Sequence, residues 1–291
     1  MSARAAALPL RRSGLWLDAW RRFARDRLAL AGGVVLLVLA LASAGAPLLT
    51  RYAPNEVDLR ALDAAPSAAH WFGTDDLGRD EFSRALYAGR VSLSIGVGCA
   101  LVSGSVGTAV GAAAGYYGGA VDAALMRVTD MVLSIPPLPL VIVLSAIQKP
   151  HPATLILIIA GIGWMVTARL ARGAFLTIRE TEYVEAARAA GCGSVRVILR
   201  HALPNSLAPV IVAATLAVGN AIITESVLSF LGVGVQPPTA SWGNMLQNAE
   251  STMATKPWLS VFPGVFILLA VLSVNGLGDG LRDALDVRAK D

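Results

Sequence analysis

YVEAARAAGCGSVRVILRHALPN, Tyr183 to Asn205, is a charged segment punctuated by glycines and a proline, set between two of the most apolar stretches of the chain. Its opening reads as helix, because Ala186, Ala187, Ala189 and Ala190 are strong helix formers and Glu185 and Arg188 suit an exposed face. Gly191 supplies the left-handed position that commonly closes a helix. Ser194 is expected to cap a second helix, and Pro204 to bend the chain into the next apolar run. On physics alone two readings stand. Either the alanine face presses into a groove on another protein, where small side chains allow close approach, or the helix rests on a lipid surface.

What surrounds this segment fixes the class of fold. Of 291 residues, 55% are hydrophobic and only 15% charged, and the mean hydropathy is +0.61, well above the balance of a water-soluble domain. The chain is expected to be an all-α integral membrane protein. A spanning helix needs about 20 mostly apolar residues, and six runs qualify: Leu28 to Leu49, Val91 to Tyr117, Leu125 to Ile147, Thr154 to Leu170, Leu207 to Leu231 and Leu259 to Leu277. Asp130 and the prolines 136, 137 and 139 interrupt the third, which is therefore expected to face protein or a wet cavity.

Arginine placement predicts orientation. Arg4, Arg11, Arg12, Arg21, Arg22, Arg25 and Arg27 precede the first run, and Arg172, Arg179, Arg188, Arg196 and Arg200 follow the fourth. Both flanks are expected in the cytoplasm, and six crossings return the tail there, so both termini are cytoplasmic. The expected organisation is a basic segment over 1–27, a first spanning helix over 28–50, an extracytoplasmic loop over 51–90, a five-helix core over 91–280 and a cytoplasmic tail over 281–291. The first run exceeds the usual apolar length of a cleaved signal and reads as an anchor. Ahead of it Trp16, Trp20 and Phe23 share a helical face, which suits either an interfacial helix or an ordinary basic flank with stray aromatics.

Several chemistries are missing. His70, His151 and His201 are dispersed over two outer loops and the inner segment, so they cannot assemble one metal site or serve a serine nucleophile. Lys149, Lys256 and Lys290 follow Gln148, Thr255 and Ala289, so no phosphate-binding Gly-Lys-Ser/Thr loop exists. The chain is not expected to be an enzyme or to bind a cofactor of its own. The small charge excess, 24 basic against 20 acidic residues, does not point to nucleic acid. Gly107, Gly111 and Gly115, at four-residue spacing, predict close packing of the second run on another helix. Among charges near membrane depth, Glu225 in the fifth run is a candidate for a translocation path or gate, with an interfacial or structural role as the alternative. Asp130 is a second candidate, nearer the cytoplasmic end of its helix.

The pattern Glu185-Ala186-Ala187, Gly191, Ile198 and Leu203-Pro204 resembles the EAA signature of binding-protein-dependent ABC importer permeases. HWFGTDDLGRDEFSRALYAGRVSLSIG (His70 to Gly96), GGAVDAALMRVTDMVLSIPPLPL (Gly118 to Leu140) and ESVLSFLGVGVQPPTASWGNML (Glu225 to Leu246) resemble, in order, the C-type permeases of dipeptide, oligopeptide and nickel importers. The resemblance implies a type I (MetI-like) importer permease fold in a bacterial plasma (inner) membrane, with a coupling helix near 180–191. It further implies a homologous B-type permease as partner, two cytoplasmic ABC ATPases that carry ATP and Mg, and an extracytoplasmic substrate-binding protein. The residues expected to dock an ATPase are Glu182, Tyr183, Glu185, Ala186, Ala187, Arg188, Gly191, Leu203 and Pro204. Peptides are the expected cargo, with nickel, glutathione or haem as alternatives within the class. An ion-coupled secondary transporter using Glu225 is the alternative outside it.

Overall fold

The computed structural model describes residues 20–148 and 151–285. The expectations placed on Trp16, on the arginines before residue 20, on Lys149 and on the tail beyond Leu285 lie outside them. Every regular element among the described residues is helical. Five helices are long and apolar enough to cross a membrane, and a bent pair makes a sixth crossing if it counts as one span.

The first crossing, α1 (Arg27–Ala44), starts at Asp26, whose carboxylate accepts from the backbone amides of Leu28 and Ala29. It stops at Gly45, and a single turn, α2 (Ala46–Leu49), follows with Pro47 in it. Carbonyls freed in this way need partners in a bilayer. Arg90 supplies them, its guanidinium donating to the carbonyl oxygens of Ser43 and Ala44. Leu28, Val34, Leu37, Val38 and Leu41 project outward, as suits a lipid-facing helix.

The second crossing, α3 (Glu81–Tyr117), begins at Glu81 rather than Val91. Asp80 caps it, accepting from the Ser83 amide at 2.8 Å. The sequence between residues 80 and 90 carries Asp80, Glu81, Arg84 and Arg90, so it reads as a solvated loop. In the fold, Glu81 and Arg84 are buried against one another and against Asp75. The glycine stripe meets α6 (Pro152–Ile178): a Cβ at Gly107 would lie 2.4 Å from the Trp164 carbonyl oxygen, and one at Gly111 would lie 2.3 Å from that of Ala168.

The third run is divided. α4 (Gly119–Leu133) and α5 (Pro137–Gln148) meet at 78°. Pro136 and Pro137 withhold amide hydrogens and restrict the residues before them, which ends α4 and restarts the chain in a new direction.

After α6 the opening segment forms α7 (Glu182–Ala189) and then α8 (Ser194–Val197). Here the expectation for Ser194 is corrected. Gly193 holds the N-cap position and Ser194 is already the first helical residue, with no side-chain cap. α8 passes through a π turn (Ile198–Ala202) into α9 (Leu203–Phe230), in whose first turn Pro204 lies. The wider π register accommodates a proline that lacks an amide hydrogen and crowds the carbonyl one turn back. A short helix, α10 (Trp242–Ala249), then enters the bundle beside α3. A capping box starts it, with Ser241 and Asn244 each accepting from the other's backbone amide. α11 (Trp258–Leu285) completes the molecule, packing on α1 and α9.

Candidate functional site

Three places carry chemistry. The first is the hairpin of α7 and α8. Val184, Val197 and Ala202 are wholly buried in a cluster with Tyr116 of α3 and Phe175 of α6, and the Arg188 guanidinium lies over the Tyr116 ring at 4.7 Å. The helix ends in a Schellman motif: Gly191 has φ +80°, its amide donates to the Arg188 carbonyl at 2.9 Å, and the Cys192 amide donates to the Ala187 carbonyl at 3.1 Å. Glu182, Tyr183, Glu185, Ala186, Arg188 and Gly191 are exposed, Ala187 is half-buried against the cluster, Leu203 is half-buried and Pro204 is exposed. A fixed base thus presents a small-residue tip flanked by charges.

The second place is a cleft of about 460 Å³ bounded by α3, the α4–α5 break, α6 and α9. Its wall is mostly aliphatic, with Ser103, Thr167, Asn220 and Thr224 as the hydroxyl and amide groups, the Cys99 thiol beside them, and no carboxylate, guanidinium, ammonium or imidazole among the lining residues. Asp130 stands two residues before the lining Val132 and is paired with Arg169 at 2.5 Å.

The third place lies at the opposite end from α7. Glu225 is fully buried and is not among the residues that line the cleft. Its carboxylate accepts from Ser92 Oγ at 2.9 Å and from Ser229 Oγ at 2.6 Å. The Trp242 amide donates to Ser92 Oγ at 3.3 Å, and the Val235 amide to Ser229 Oγ at 3.0 Å. One carboxylate therefore holds α3, α9, the segment after α9 and α10 together, and the side chain does not reach an interface. Nearby, His70 pairs with Asp80 at 2.9 Å and Arg79 with Asp75 at 2.6 Å, and the Phe72 ring stacks on Phe262 at 3.8 Å. The two ion pairs brace the loop before α3 internally, and the Phe72–Phe262 stack fastens it to α11.

Ser92, Ser229 and Trp242 were not among the residues singled out from sequence. Their common partner lies far along the chain, and a serine in an apolar run carries no distinguishing signal. The buried Asp75 and Arg84 and the half-buried Arg79 were legible only as a balance of charges in a long loop.

The described residues form a helical bundle with a closely packed core, a cleft between its spans and a protruding short helix at one end. Residues 107–291 match the family described as the inner membrane component of binding-protein-dependent transport systems, and residues 14–66 match the N-terminal transmembrane domain of oligopeptide transport permease C. The chain belongs to this permease family and is a multi-pass inner-membrane protein. Relatives sharing nearly its whole length include a Brucella suis biovar 1 protein whose name describes it as a peptide permease, 43% identical over 92% of this chain and 90% of its own. The permease protein OppC of the Bacillus subtilis oligopeptide transport system is 38% identical over 95% and 90%. The permease protein GsiD of the Pectobacterium atrosepticum glutathione transport system is 41% identical over 94% and 92%.

Proposed function

We propose that this chain is one of two permease subunits of an ATP-driven importer of peptides, that its α7 end and both termini face the cytoplasm, and that α7 is the helix on which a separate ATPase subunit pulls. The observation that carries this reading is the construction of the α7–α8 hairpin. Its buried side is fixed to α3 and α6, while Glu182, Glu185, Ala186 and Gly191 are exposed at its tip. A helix held in this way transmits displacement to the spans rather than absorbing it.

The division of labour follows. This chain lacks a phosphate-binding loop, so ATP and Mg belong to two partner ATPases at the α7 end. A homologous permease would close the open side of the cleft, where Leu138, Val166 and Leu170 are exposed. A substrate-binding protein would meet the opposite end, which carries the 51–80 loop and α10. Peptide cargo rests on the names of the relatives, and a cleft offering hydroxyl and amide groups without fixed charge suits a backbone of amides. Of the two acidic candidates, we assign Asp130, beside the cleft, to gating and Glu225, behind it, to holding α10 in place.

Gly191→Asp tests the docking role. A non-glycine residue at this positive φ costs about 1–2 kcal/mol, and the new carboxylate stands beside Glu185 and Glu182 at the exposed tip. Copurification of the ATPases and binding-protein-stimulated hydrolysis are expected to fall by roughly tenfold, with the chain still inserted in the membrane. Unaltered assembly and uptake would count against the reading.

A further inference from the structure

α4 is attached unlike any other long helix of the bundle. Of its 15 residues only Thr129 is buried. What fixes it to α6 is a pair of ionic contacts: the Arg172 guanidinium reaches both oxygens of Asp122, Nη2 to Oδ2 at 2.6 Å, and Arg169 reaches Asp130 at 2.5 Å. Asp122 and Asp130 are about two turns apart on one face of α4, and Arg169 and Arg172 about one turn apart on α6. Each end of α4 is a break. Gly118 and Gly119 have φ of +65° and +52°, and at the other end the chain turns through 78° into α5. Leu133, Ile135 and Pro137, at that second break, line the cleft.

We propose that α4 is a hinged lid at the α7-side mouth of the cleft, and that the Arg169–Asp130 and Arg172–Asp122 pairs are its latch, through which movement of α7 and α6 opens and closes that mouth. α6 ends at Ile178 and α7 starts at Glu182, so displacement of α7 reaches the two arginines along one continuous helix. The Arg169–Asp130 pair is exposed, and exposed ion pairs contribute little to stability, which suits a contact that must be broken and remade; the bidentate Arg172–Asp122 pair is half-buried and is the firmer of the two. The inference rests on the reading of α7 as the ATPase-linked helix.

The test uses the complete complex with its ATPases and binding protein in proteoliposomes. The chain carries Cys192→Ser and Leu133→Cys, with Cys192→Ser alone as background for Cys99, and is labelled by a membrane-impermeant maleimide from the α7 side. Labelling at position 133 is expected to change by about fivefold or more between nucleotide-free and ATP-bound states, the lower end of a typical coupling between sites. Asp130→Asn and Asp122→Asn together are expected to abolish that change and to lower uptake per ATP hydrolysed by a similar factor. Asp130→Arg with Arg169→Asp, which keeps both charges, is expected to restore both relative to Asp130→Arg alone. Labelling independent of nucleotide would make α4 a fixed ledge and overturn the lid. A loss that the charge exchange leaves in place would overturn the pairing. ATPase copurification separates the two levels: complexes that assemble but show fixed labelling refute only the lid, whereas a wild-type chain that holds no ATPase refutes the docking reading and the lid with it.

Discussion

A carboxylate with no exposed surface is costly at membrane depth unless every oxygen is engaged. At Glu225 the serines of α3 and α9 meet that need, and each serine in turn accepts an amide from the chain after α9. The shape of the network predicts a graded response. Glu225→Ala removes the acceptor from two buried hydroxyls and is expected to lower stability by about 1–3 kcal/mol per group left unpaired, read as a fall in melting temperature of the detergent-solubilised chain. Glu225→Gln retains an acceptor and is expected to lose clearly less. Equal melting temperatures for the two variants would show that the carboxylate does not organise α10. The identity of Glu225 as an unusual residue was legible in the sequence, since one acid interrupts an apolar run. Its partners were not, because Ser92 and Trp242 lie on other elements and nothing local marks them. Gly191 was legible on its own terms: the helix-forming run ends there, and the backbone needs a positive φ at that position.

At the scale of elements, apolar length is a strong signal and boundaries are a weak one. The apolar runs are where the spans are, since about 20 residues without charge have few other uses. What sequence did not reveal is where polar groups extend a helix. Glu81 and Arg84 looked solvated, yet they are buried beside one another and Asp75, and α3 starts with them. The Pro136-Pro137 break was visible as an interruption, but the 78° angle depends on how α4 lies against α6, which no local pattern encodes. The glycine stripe illustrates the converse, a local pattern whose consequence is tertiary. Gly111→Ala would push a Cβ to 2.3 Å from the Ala168 carbonyl oxygen and is expected to cost about 3 kcal/mol through separation of α3 from α6. Gly173→Ala, in α6 with nothing within 4 Å of the new Cβ, is expected to stabilise by about 0.5–1 kcal/mol. Thermal melts of the two variants in the same detergent check both signs, and a stabilising Gly111→Ala would refute the close-packing account.

The whole molecule reads as a device with a different task at each end. One end is tied rigidly by the Glu225 network, the Asp75–Arg79 pair and stacked aromatic rings. The other carries a helix on a buried base, and between them lies a cleft with a lightly attached wall. Such a division makes sense for a subunit that is moved by one partner and receives cargo from another. The sequence already contained both ends as separate motifs. The cleft could not be read from it, because its lining comes from four separate stretches of chain and includes no residue unusual for a membrane helix.

Reconstitution tests the central claim most directly. The purified chain is placed in liposomes alone under proton and sodium gradients, and in parallel with its partner permease, ATPases and binding protein, and uptake of a labelled oligopeptide is measured with and without ATP. The account predicts ATP-dependent uptake by the complete complex and none by the chain alone under any gradient. Gradient-driven uptake by the chain alone, without nucleotide, would contradict it.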